Sequence, residues 1–96
     1  MSENDFRDQV LKGFWHDLQQ HLQRDAIIVV DSNLDLGHVA SQIALDRAVV
    51  IQGWIEQKLI GKPSPEQLEA WNANATKEFN VVIVQPYVLI QELRLN

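Results

Sequence analysis

The run FNVVIVQPYVLIQEL, residues 79–93, constrains the fold more than any other stretch of this chain. Val and Ile branch at Cβ, and side chains of that shape suit a pleated, half-buried surface better than a helix. The run therefore predicts extended structure closing the chain. Pro86 interrupts it; proline has no N–H for a ladder and marks an edge, a bulge or a bend. An edge strand over 87–93 would expose unpaired backbone groups and an apolar row, which proteins cover or pair. A homodimer through the C-terminal strand would satisfy such an edge; so would folding back over the chain's own helices.

Upstream the pattern turns helical. Phe6, Val10, Phe14, Leu18 and Leu22 recur every four positions, with Leu11 and Trp15 widening the stripe, and predict a helix over 3–23. Ser2 or Asn4 would cap it, and Gly13, worth about 1 kcal/mol less than Ala in a helix, would kink or divide it. AIIVV at 26–30 reads as a buried strand and DSN as a turn. A second helix starts near Asp35 with Leu36, Val39, Ala40 and Ile43 on one face. A third runs from Arg47 to Lys58, N-capped by Asp46, with Val50, Ile51, Trp54 and Ile55 inward. Leu59 and Ile60 suggest a very short strand. Ser64, Pro65 and Gln67 then spell a capping box with proline at the first helical position, and Leu68 and Trp71 face inward.

The predicted class is α+β: a small single domain over 1–96 with the order helix, strand, helix, helix, short strand, helical insert, strand. That order is winged-helix-like. Within it, LDLGHVASQIALDRAVVIQGWI at 34–55 has the cadence of a helix-turn-helix. Ala40 is small where the second helix would cross, Ala44 stands where glycine is usual, and Val50 is spaced to lock the pair.

Charge opposes the function this suggests. Thirteen acids against eight bases leave a net charge of -5, whereas nucleic-acid binders carry a basic footprint. The candidate contacts, Arg47, Lys58 and Lys62, are few and scattered. With no cysteine there is no disulfide or thiolate site, which fits a reducing, cytoplasmic setting. MSENDFRDQ lacks the apolar stretch of a signal peptide, and no apolar run is long enough to span a membrane.

Little in the sequence points to chemistry. His16 and His21 lie five apart, off the i, i+4 spacing that sets two ligands on one helical face. Asp35, His38 and Ser41 have the period of a solvent-facing stripe, not the convergence of a triad. Asp31 and Asp35 flank a turn, where carboxylates form turns and cap helices. The four glycines are isolated, so no phosphate loop is present. No catalytic, cofactor-binding or metal-ligating residue is assigned, and no cofactor is expected.

Taken together, W-x-x-L at Trp15–Leu18, IIVVD, the segment Leu34–Asp46, Trp54–Ile55, KPS at 62–64, Trp71 and the closing VVIVQPYVLIQE resemble a family of small bacterial proteins known as a domain of unknown function. The resemblance covers residues 11–92. It implies a stand-alone cytoplasmic bacterial protein and no activity, cofactor or partner. The reading is a non-enzymatic protein–protein interaction or regulatory module that self-associates. Its candidate interface residues are Trp15, Pro86, Tyr87, Leu89 and Gln91. Alternatives are a winged-helix nucleic-acid-binding regulator and a small enzyme using Asp31, Asp35 and His38.

Overall fold

The β-branched closing run folds back on itself at Pro86. The computed structural model describes residues 6–22 and 25–93. After a 3-10 turn at Phe6–Gln9 come β1 (Leu11–Phe14), α1 (Trp15–Leu18), a second 3-10 turn (Gln19–His21) and β2 (Ile27–Val30). Then follow α2 (Leu36–Ala44), α3 (Ala48–Glu56), β3 (Ile60–Gly61), α4 (Pro65–Asn72), β4 (Glu78–Val84) and β5 (Tyr87–Glu92). The strands form one mixed sheet in the order β1-β4-β5-β2-β3. β4 and β5 make an antiparallel hairpin with Val84 opposite Tyr87, and the Gln85–Pro86 peptide in its turn is cis. β5 runs parallel to β2, with Ile27 beside Val88 and Val29 beside Ile90.

Helices cover both faces of this sheet. Alternation along β5 sends Leu89 to one side and Val88 and Ile90 to the other. Leu89 joins Val30, Val82 and Val84 beneath Leu36, Val39 and Ala40 of α2, with Phe6 beside them. Val88 and Ile90 join Ile27, Phe79 and Val81 beneath Trp15 and Leu18 of α1 and Trp71 of α4. Trp15, Trp71 and Phe79 form an aromatic cluster with ring centroids 4.9–5.9 Å apart, tilted or edge-on, as the quadrupoles of aromatic rings prefer.

The α+β class is found; the winged-helix order is not confirmed. β2 and β5 do lie side by side, but in parallel, inside a five-stranded sheet. β5 is also interior, flanked by β4 and β2, so its backbone is paired within the chain and the edge inferred over 87–93 does not exist. The helix predicted over 3–23 is replaced, across its described residues, by β1, α1 and two short turns; the caps at Ser2 and Asn4 lie outside the described residues. Leu11 and Gly13 of β1 pair with Val81 and Phe79 of β4. A Cβ on Gly13 would stand 3.2 Å from Val81 Cγ2, so the strand packs closely because that residue has no side chain.

Local signals hold better further along. Asp35 caps α2 by accepting from the His38 N–H at 3.2 Å. Ser64 Oγ accepts from the Gln67 N–H at 3.1 Å while Gln67 Oε1 accepts from the Ser64 N–H at 2.9 Å, the reciprocal box its spacing predicts. Asp46 does not cap α3; Arg47 holds that position without a side-chain bond. Asp46 instead closes α2 with φ 57°, its N–H bonded to Ile43 O and that of Arg47 to Gln42 O. Lys58 closes α3 the same way, at φ 62°, with bonds from its own N–H to Ile55 O and from that of Leu59 to Trp54 O. Both are Schellman closures made without the usual glycine. The left-handed residue of the α2–α3 corner is thus Asp46, two positions beyond Ala44. Among the described residues no helix is long and apolar enough to cross a membrane.

Candidate functional site

α3 is the exception to the burial pattern. Six of its nine residues, in AVVIQGWIE, are apolar, yet none is buried. Helices hydrophobic all round are normally enclosed by the rest of the protein; α3 lies along the side of the molecule, against α2 and β3. Ile51 and Trp54 turn inward and are half-buried, packed on the α2-side core. Val50 and Ile55, predicted to lie inward, are exposed. Ala48, Val49, Gln52, Gly53 and Glu56 line a shallow outward concavity. Val49 is 88% exposed. Leaving a side chain of its size in water forgoes about 1.5–3 kcal/mol of burial free energy.

On the flank of α3 that faces the sheet, an apolar groove of about 540 Å³ runs between α2, α3 and the β2–β3 edge. Ile27, Ile28, Ile43, Ile51, Ile55 and Ile60 line it; Tyr87, Asp46 and the Lys62–Asp25 ion pair stand at its rim. α3 thus carries apolar surface toward the groove and toward solvent alike.

A second, polar hollow of about 360 Å³ lies at the carboxyl end of the parallel β2–β5 pair and includes Asp31, Ser32, Gln67 and Glu92. Ligands in open α/β sheets favour that end of the strands. Here the acids have structural duties: Asp31 Oδ1 accepts from the Asn33 N–H at 2.8 Å and Glu92 pairs with Lys77 at 3.1 Å, while Asp35, outside the hollow, caps α2. His38 is exposed, its ring edge-on to Trp54 at 6.0 Å. Among the described residues, no three His, Cys, Asp or Glu converge on a common point.

The structure separates the interface candidates. Trp15 is not a rim anchor: it is 0% exposed, and its indole N–H donates to Asn72 Oδ1 at 2.8 Å. Leu89 is fully buried in the central strand. Gln91 is buried too, its side-chain amide donating to Asp31 O at 2.8 Å and Leu34 O at 2.7 Å, which ties the β2–α2 loop to β5. Pro86 and Tyr87 are exposed at the hairpin turn. Arg47 and Lys58 are exposed at opposite ends of α3, about 16 Å apart at 1.5 Å per residue, and Lys62 is paired with Asp25; the three form no single basic patch. Val49, absent from the candidates, was legible: it lies on the side of α3 away from Ile51 and Trp54, where a polar residue is the rule.

The sequence matches a known family and the fold recurs in a solved structure. The family model described as "Protein of unknown function (DUF2288)" matches residues 3–92, and the chain belongs to that family. The NMR solution structure of PA1075 from Pseudomonas aeruginosa superposes with a TM-score of 0.82 at 25% identity, covering 95% of this chain and 83% of that one. No curated protein matches this chain.

Proposed function

We propose that this protein is a non-enzymatic, cytoplasmic interaction module whose docking element is α3. The observation that carries the reading is a helix with six apolar residues of nine and none buried. Large apolar side chains left exposed on one helix, Val49, Val50 and Ile55, suit burial against a partner, and a helix that lays apolar residues into a partner's groove is a recurring mode of recognition. The turn and cap roles of Asp31 and Asp35 support this reading over an enzymatic one. The separation of Arg47 from Lys58 and the net charge of -5 support it over nucleic-acid binding.

A photoreactive amino acid placed at Val49 in living cells tests it, with the same residue at exposed Ser32 as control. Protein adducts should form from position 49 and not from position 32. Absence of any protein adduct at 49 would refute the reading.

A further inference from the structure

We infer that α3 is a lid that opens by itself: it leaves the body of the protein and unravels between Asp46 and Lys58, while α2 and the sheet stay folded and the isoleucine groove beneath it is uncovered. The inference concerns the helix proposed for docking but does not rest on that role.

α3 is weakly held and weakly helical. The helices α1, α2 and α4 each bury at least one side chain; α3 buries none. Its hold on the core is half-buried Ile51 and Trp54. No α3 side chain makes a hydrogen bond or ion pair with another described residue. Local opening draws on elements with few buried apolar contacts. Val49, Val50, Ile51 and Ile55 branch at Cβ and Gly53 sits mid-helix, all poorer helix formers than alanine or leucine. A Cβ on Gly53 would meet nothing within 4 Å, so packing does not require the glycine. A helix of nine residues does not persist alone in water. Once Ile51 and Trp54 let go, α3 unravels.

The elements on either side are complete without it. α2 ends in its own closure at Asp46, made by bonds to Ile43 O and Gln42 O. β3 is held by Ile60 opposite Val30 and Gly61 opposite Val29, and the Asp31 N–H donates to Leu59 O at 2.8 Å. Lys58, which closes α3, stands at φ 62°, a conformation unfavourable for an L-residue that unravelling relieves. Ile51 and Ile55 are the share of α3 in the groove lining; Ile27, Ile28, Ile43 and Ile60 belong to the body. Opening therefore bares a floor of isoleucines without unfolding the sheet that carries it.

Native-state hydrogen exchange of the intact protein in rising urea tests it. The amides of residues 52–57 should exchange through one shared opening, about a hundredfold more frequent than the global unfolding that exposes Leu89 and Ile90 of β5, and with a weaker urea dependence. Gly53→Ala adds helix propensity without a clash and should slow that opening about fivefold. Asn72→Ala weakens the Trp15 bond on the other face of the sheet, which stays made when α3 opens, so it should speed exchange in β5 and leave residues 52–57 unchanged. The chain has no cysteine, so the thiol of Ile60→Cys, buried in the groove floor, reads the uncovering directly; its labelling should slow about fivefold when Gly53→Ala is added. Exchange of residues 52–57 in the same global step as β5 overturns the inference. So does an Asn72→Ala that speeds both alike, or a Gly53→Ala that alters neither exchange nor labelling. The position-49 photoadduct reports docking alone, so either conclusion can fall without the other.

Discussion

The indole N–H of Trp15 donates to Asn72 Oδ1 at 2.8 Å, joining the first helix to the last across 57 residues. The same oxygen accepts from Gln19 Nε2 at 2.7 Å. Asn72→Ala leaves the buried indole donor without its acceptor and should cost about 1–3 kcal/mol in urea unfolding. In a Trp15→Phe background, which has no such donor, the same change should cost distinctly less. Equal costs in the two backgrounds would show that the bond contributes nothing.

Gln91 should behave as a structural tie. Its amide satisfies the carbonyls of Asp31 and Leu34 from inside the sheet. Gln91→Leu keeps the volume but abandons both carbonyls, for an expected loss of about 1–3 kcal/mol. Hydrogen exchange should accelerate in the 31–35 loop and at the first turn of α2 before it does in β4. Uniform acceleration would show the loop is held by other means.

Lys58 closes α3 at φ 62° and is exposed. A left-handed conformation costs an L-residue roughly 1–2 kcal/mol that glycine does not pay, part of which glycine returns through its freer unfolded chain. Lys58→Gly should therefore raise stability by up to about 1 kcal/mol, read as a higher urea midpoint at unchanged slope. Lys58→Val should lower it.

Ser64→Ala removes one half of the reciprocal cap on α4 and should cost about 1 kcal/mol. Asp at the same position should recover most of that loss, because a carboxylate accepts from the same N–H and suits the positive end of the helix dipole. A silent Ser64→Ala would mean that Trp71 packing alone sets where α4 begins.

How far these features can be read without coordinates depends on how local their causes are. The α4 cap was legible because three residues within four positions specify it. The first segment misled for a geometric reason: positions four apart share a face in a helix and equally in a strand, so Phe6, Val10, Phe14 and Leu18 fit either. The choice fell to β4, which pairs residues 78–81 with 11–14. For β5, the unbroken apolar run Val88, Leu89 and Ile90 is the mark of a strand covered on both faces, and it outweighs the edge suggested by Pro86, which lies in the turn instead. The apolar outer side of α3 was visible as residue types, but its exposure depends on where the sheet ends, at two-residue β3.

The parallel seam joins Ile27 to Val88. During synthesis, the Ile-Ile-Val-Val segment leaves the ribosome long before its central neighbour exists, and no stable nucleus can close until the final hairpin emerges. A stalled nascent chain ending after α4 should therefore remain protease-sensitive and bind chaperones that hold exposed apolar strands, whereas release of the hairpin should make the whole body resistant in one step.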